Sequence, residues 1–198
     1  YIISLLRKMY EAERLLSRKD WLTSLYNYRG FVELTKKFLD NTHNKPLFSL
    51  AYIDLDKFKT VNDKYGHAEG DKLLRLFAKI LLRTVRSTDI CARLGGDEFV
   101  VFFPTPNCEF VRGMVEKLNS RLLKTMEKKD WSVTFSIGVA TFFTHPKNID
   151  EAIQSADKLM YASKKKGRNQ VHYQEVGEVE DPNILRGEPP KEVHSDCE

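Results

Sequence analysis

Cysteine is scarce: the 198 residues hold three, Cys91, Cys108 and Cys197, widely spaced and without a CxxC pair. Neither a disulfide framework nor a zinc site is indicated, and a reducing, cytoplasmic setting is expected. Long apolar runs are missing too. No stretch approaches the ~18 uncharged apolar residues of a membrane span, and the opening Tyr-Ile-Ile-Ser-Leu-Leu-Arg lacks the basic region and cleavage site of a secretory signal. The first residue is not Met, which suggests a piece of a longer protein. There is no GxxxxGK[ST] and no GxGxxG after a strand, so a P-loop and a dinucleotide fingerprint are both excluded. His67 and His145 have no Ser or Cys partner at a recognisable spacing, so triad chemistry has no support and a structural role is expected for each.

What is present suits one folded domain with extensions. The chain is 41% hydrophobic and 30% charged, too apolar for a disordered tail and of ordinary single-domain length. The net charge of +4 conceals an asymmetry: from Gln174 onward 2 Lys and Arg face 8 Asp and Glu, against 30 and 20 before it. A body of +10 suits a polyanionic partner, either nucleic acid or a nucleotide triphosphate. Nucleic acid is the weaker of the two, because no recognition helix or stacking motif accompanies the charge.

Three segments follow. In residues 1–19, Ile2, Leu5, Met9, Ala12 and Leu16 recur at heptad-like spacing, the mark of a short coiled-coil signalling helix or of an amphipathic helix packed on its own domain. Residues 20–174 alternate helical and extended patterns. A helix is expected over Tyr28–Leu39, a buried strand over Leu47–Leu55, a helix over Gly70–Arg86, and a hairpin of Ile90–Leu94 and Glu98–Phe103 across Gly95-Gly96-Asp97. A helix over Phe110–Met126, a strand over Ser132–Thr141, a helix over Ile149–Lys165 and a short strand over Gln170–Tyr173 complete the order αβαββαβαβ. The fold class is α+β, an α/β sandwich with helices flanking a mixed central sheet. Residues 175–198 read as an acidic tail without apolar periodicity.

Two acidic clusters lie where buried strands end: Asp54 with Asp56, and Asp97 with Glu98. If those strands are neighbours, Asp54 and Asp97 converge on one divalent cation, and few carboxylates with phosphate oxygens suit Mg²⁺. The plain alternative for strand-end acids is solvation. Asp54-x-Asp56-x-Phe58 opens like a calcium loop but lacks the third oxygen ligand and the turn glycine, which excludes an EF-hand.

Arg93-Leu94-Gly95-Gly96-Asp97-Glu98-Phe99 resembles the signature of the GGDEF family, the bacterial diguanylate cyclases that make cyclic di-GMP. Three further motifs match in family order: Asp20-x-Leu22-Thr23-x-Leu25-x-Asn27; Asp54-Leu55-Asp56-x-Phe58-Lys59-x-x-Asn62-Asp63-x-x-Gly66-His67-x-x-Gly70-Asp71; and Tyr161-x-x-Lys164-x-x-x-Arg168-Asn169. The resemblance covers Asp20 to about Tyr173 and implies a nucleotidyl-cyclase-like fold preceded by a helical stalk. It implies two Mg²⁺ per active site, or Mn²⁺ in their place, on Asp54, Asp97 and the Leu55 carbonyl. Glu98 is implied as partner of the attacking 3′-hydroxyl or of a metal, and Asn62 and Asp71 as readers of guanine. Phe58, Lys59, Lys164, Arg168, Gly95 and Gly96 are implied to contact GTP. Arg86-Ser87-Thr88-Asp89 matches the family's RxxD inhibitory motif, so Arg86 and Asp89 are implied to bind returning cyclic di-GMP.

Since one domain holds one GTP and the product joins two nucleotides, a homodimer is implied, with the stalk relaying the state of an upstream sensor absent from this sequence. Any membrane tether would come from that upstream region. The competing reading is a catalytically silent GGDEF domain that serves as a cyclic di-GMP receptor or GTP-binding module. Tyr28 and Ser24 depart from the family's common arginine and glycine, which bears on loop geometry.

Overall fold

The computed structural model describes residues 17–40 and 47–178. The heptad segment up to Leu16 and the acidic tail from residue 179 lie outside the described residues. The elements are α1 (Tyr28–Asp40), β1 (Phe48–Asp56), α2 (Phe58–Tyr65), α3 (His67–Thr84), β2 (Ile90–Gly95), β3 (Glu98–Phe103), α4 (Cys108–Lys128), β4 (Thr134–Phe142), α5 (Ile149–Lys165) and β5 (Val171–Val176). The five strands form one sheet in the order β2-β3-β1-β4-β5. All pairings are antiparallel except β4 with β5, which is parallel, so the sheet is mixed as the sequence pattern predicts.

Strand β1 occupies the centre, and all nine of its residues are buried, which is why its sequence is a near-continuous apolar run. The pleat divides that run between two cores. Ala51, Ile53 and Leu55 pack with Leu73, Phe77 and Leu81 of α3 and with Val115, Leu118 and Leu122 of α4. Phe48, Leu50 and Tyr52 pack with Phe31 of α1 and Ala152, Ala156 and Met160 of α5. Asp54 and Asp56 have the parity of the second set, which directs them toward the end of α5.

The starts of α4 and α5 are capped by asparagine side chains. Asn107 accepts from the Phe110 N–H at 2.8 Å to start α4, and Asn148 accepts from the Glu151 N–H at 2.9 Å to start α5. Glu151 in turn accepts from the Lys147 N–H at 2.6 Å, fixing the entry to α5. That helix lies unusually close to the sheet: a Cβ added at Gly138 would come within 2.1 Å of the Ala156 carbonyl oxygen and 2.3 Å of the Met160 nitrogen. Only glycine allows this approach, and it sets the height at which Lys164, in the last turn of α5, stands over the sheet.

The structure adds helix α2, which the sequence pattern does not predict, and carries β5 through Glu175 and Val176, two residues that the charge pattern assigns to the tail. In Phe58–Tyr65 the apolar positions Phe58, Val61 and Tyr65 do keep helical spacing, but eight residues, most of them polar, give too little periodicity to read. Among the described residues, no helix is long and apolar enough to cross a membrane.

Candidate active site

Register brings the two acidic clusters together. Strands β1 and β3 are neighbours, Asp54 lies opposite Glu98, and the Leu55 N–H donates to the Asp97 carbonyl at 3.3 Å. The β2–β3 turn that presents Asp97 is tight: Gly95 pairs with Glu98, and Gly96 adopts φ +42°, a conformation that favours glycine. A Cβ built on Gly95 or Gly96 would meet no atom within 4 Å, so the turn is open to a ligand's approach.

Arg93 braces this turn from behind. Its Nε and Nη2 donate to the Gly96 carbonyl at 2.9 and 2.7 Å, and its Nη1 donates to the Asp20 carboxylate at 3.1 Å. Asp20 also accepts from the Thr23 N–H at 2.8 Å and from the Thr23 hydroxyl. Burial alone would raise the Asp20 pKa, but the Thr23 hydrogen bonds and the Arg93 charge outweigh it and hold it below its ordinary value. The Asp20-x-Leu22-Thr23 motif thus supports the turn, a role that neither residue type nor spacing reveals.

Asp54 and Asp56 differ sharply in their surroundings. Asp56 has a fully buried side chain whose Oδ1 accepts from the Ser136 hydroxyl at 2.8 Å, while Oδ2 accepts from the Thr134 hydroxyl at 2.8 Å and the Asn169 N–H at 3.1 Å. Asp54 has Lys164, whose Nζ stands 2.6 Å from its Oδ2. Its carboxyl pKa is raised, chiefly by burial and further by the charges of Asp97 and Asp56, with Lys164 pulling the other way. Burial and the nearby negative charge of the Glu98 carboxylate likewise push the Tyr52 phenol up.

The other candidates separate into groups. Phe58 and Asn62 of α2 converge on Gly70 of α3, where an added Cβ would fall 1.9 Å from Asn62 Oδ1 and 3.1 Å from Phe58 Cζ. Asp71 follows immediately, with Arg75 Nη2 at 3.8 Å. Lys59 is exposed in the first turn of α2. Arg168 lies beyond α5 with its Nε 3.9 Å from Asp56, not Asp54. Arg86 and Asp89 stand at the opposite end of β2: the Arg86 N–H donates to Asp89 Oδ2 at 2.8 Å, and the guanidinium lies 3.6 Å over the Phe110 ring. Phe110 is a further neighbour that sequence spacing does not reveal.

The chemistry of the strand-end donors fits a divalent cation. Among the described residues, no group of three or more His, Cys, Asp or Glu is arranged to hold a metal. Two carboxylates with a backbone carbonyl need no third acid when substrate phosphates complete the shell. A buried, desolvated carboxylate that draws an ammonium to 2.6 Å is a site that demands positive charge. A cleft of about 730 Å³ lined by Lys57, Leu123, Trp131 and Thr134 contains none of Asp54, Asp97 or Glu98 and is separate from this site.

Comparison with known proteins agrees. The family described as "Diguanylate cyclase, GGDEF domain" matches residues 17–170. DosC of Escherichia coli (strain K12), a diguanylate cyclase, is 37% identical over 177 residues, which covers 86% of this chain and 38% of DosC. YhcK of Bacillus subtilis (strain 168), an uncharacterized protein, is 35% identical over 176 residues, 86% of this chain and 49% of YhcK. The chain thus spans half or less of the length of these relatives. The coiled coil and GGDEF domain of DgcB from Caulobacter crescentus, solved in complex with c-di-GMP, superposes with a TM-score of 0.69 at 28% identity, over 87% of this chain and 93% of that one. The family model spans most of the chain and the fold matches that of a solved GGDEF domain, so the chain is a member of the family described as diguanylate cyclase, GGDEF domain.

Proposed function

We propose that this domain condenses two GTP into cyclic di-GMP and two pyrophosphates. Each 3′-hydroxyl oxygen bonds to the α-phosphorus of the other nucleotide, the Pα–O bond to the β-phosphate breaks, and each hydroxyl loses its proton. The observation that carries the reading is the strand-end cluster: Asp54 opposite Glu98, Asp97 in an open glycine turn, and the Lys164 ammonium 2.6 Å from Asp54.

Asp54, Asp97 and the Leu55 carbonyl would hold two Mg²⁺, or Mn²⁺, which supply polarisation of the α-phosphate and acidification of the hydroxyl when bound. The chain's own groups do the rest. Lys59, Lys164 and Arg168 neutralise the triphosphate, and Gly95 and Gly96 let the backbone reach it. Asn62 and Asp71 bond the guanine edge, whose paired N–H donors a carboxylate accepts together, while Phe58 flanks them. Glu98, opposite Asp54 in the β1–β3 register, receives the hydroxyl proton or ligates a cation.

One set of guanine-binding residues per chain requires two copies facing across a two-fold axis. Arg86 and Asp89 take up product as a feedback inhibitor, and the protein works in the cytoplasm. The test is incubation of the chain with GTP and Mg²⁺ beside Asp97→Ala and an ATP-plus-GTP control, with products resolved by chromatography. Cyclic di-GMP formed by the wild type and lost in the variant is the expected result. No cyclic dinucleotide at high protein concentration would overturn it in favour of a cyclic di-GMP receptor.

A further inference from the structure

We infer that Asp56 is a positioning residue for the substrate's terminal phosphates, acting through the turn that carries Arg168. This inference rests on the proposed cyclase reading. Gly167, Arg168 and Asn169 follow one another at φ +114°, +66° and +50°. Two successive non-glycine residues in the left-handed region are strained and persist only where surrounding bonds over-determine them. Here the bonds are explicit. The Arg168 N–H donates to the Ser163 carbonyl at 3.1 Å, the Ser163 hydroxyl to the Gln170 carbonyl at 2.6 Å, and the Ile137 N–H to that same carbonyl at 2.9 Å. The remaining donor at the crest, the Asn169 N–H, goes to Asp56.

Asp56 is suited to this as no other residue would be. Two hydroxyls and one amide donate to its two oxygens, and the Arg168 guanidinium stands 3.9 Å away. An ionised carboxylate is acceptor-only, whereas asparagine would turn an NH₂ toward one of those donors. Burying a carboxylate is costly, and here its acceptors are engaged by β4 on one side and the Arg168–Asn169 turn on the other. Asp56 therefore ties the end of β1, which bears Asp54, to the segment that bears the phosphate-binding cation. Its oxygens are spoken for, which sets it apart from Asp54.

The test is binding by the whole chain of an α,β-methylene GTP analogue, of GMP, and of Mn²⁺ alone, in wild type, Asp56→Asn, Arg168→Ala and the double variant. Expected for Asp56→Asn is a tenfold or greater loss for the triphosphate analogue, with GMP and Mn²⁺ affinities within twofold. The double variant should be no more than threefold weaker than Arg168→Ala, because the two changes remove one function. Equal losses for the analogue and GMP would reduce Asp56 to scaffold, a tenfold loss of Mn²⁺ would make it a metal ligand, and additive losses would break the link to Arg168. Should Asp56→Asn fail to fold, the milder Thr134→Val/Ser136→Ala pair is expected to show the same triphosphate-selective loss. Amide exchange at Asn169, slow in the wild type and faster in the variants, reads the anchor without nucleotide. A wild type that binds no nucleotide would overturn the cyclase reading, while that exchange still decides whether Asp56 holds the turn.

Discussion

At the Gly96-Asp97 end of strand β2, polar groups are tied across the fold, whereas at the Arg86–Asp89 end they are tied to their own backbone. The six residues of β2 set the two ends about 20 Å apart at roughly 3.3 Å per residue. At the first end, Arg93 joins the turn to Asp20, and Asp56 joins β1 to β4 and to the turn after α5. At the second, the Asp89 carboxylate accepts the N–H of Arg86 three residues earlier, and the Arg86 guanidinium rests on Phe110. Groups that must meet reacting atoms within fractions of an ångström need a scaffold from several strands. A site that only captures a bound nucleotide works with a local turn and a cation on an aromatic face.

The largest effect should come from breaking the first end at its least satisfied group. Asp54→Asn is expected to lower cyclase turnover by about a thousandfold or more, since it removes a proposed cation ligand at the reacting phosphate. Its melting temperature should not fall. Burial raises the Asp54 pKa, so the ionised form costs stability at neutral pH, and neutralising it removes that cost. Product analysis and thermal melts together check the claim; loss of fold along with activity would refute it.

Next in size is a change that shifts the first end as a body. Gly138→Ala forces α5 off the sheet because its Cβ would collide with the backbone at Ala156 and Met160. A destabilisation of about 1–3 kcal/mol or more is expected by denaturant titration, as for overpacked cores. Gly113, in α4, has nothing within 4 Å of an added Cβ, so Gly113→Ala should instead stabilise by about 0.4–1 kcal/mol. The second end is tested by Arg86→Ala. Cyclic di-GMP affinity, measured calorimetrically, should fall about tenfold, the worth of one charge-assisted contact, while the melting temperature moves little.

The same contrast explains what the sequence discloses. Strand β1 is legible because its burial on both faces leaves a run of apolar residues, and the hairpin because Gly95-Gly96-Asp97 is a turn by composition. The approach of the Asp97–Glu98 cluster to Asp54 follows once the two strands are neighbours. Helix α2 escapes because Phe58–Tyr65 is too short and polar for periodicity to show. The role of Asp56 escapes because its donors lie 78, 80 and 113 residues away, and that of Asp20 because Arg93 lies 73 residues away. Local chemistry such as the Arg86–Asp89 turn can be read from spacing; a bond between distant segments cannot be, even where motifs flag both partners, as with Asp20 and Arg93 or Asp56 and Asn169.

Asp20 offers the smallest and most specific probe of the first end, because its stabilisation has a definite pH signature. Its pKa in the folded chain is held below the ordinary 3.8, the opposing effect of burial being outweighed by Thr23 and Arg93. Protonation in the unfolded chain therefore precedes protonation in the folded one as pH falls. The stabilisation is complete well above 3.8 and is lost as pH drops through the lower, folded value. Asp20→Asn should consequently be less stable than the wild type by about 1 kcal/mol at pH 7, the net worth of a hydrogen-bonded charge in a partly buried setting. The difference should shrink toward zero below pH 3.8, as followed by urea titrations at a series of pH values. A gap that stays constant down to pH 3 would mean that the Asp20 carboxylate's charge is not what secures Arg93, and that the bracing of the glycine turn rests on the Gly96 carbonyl alone.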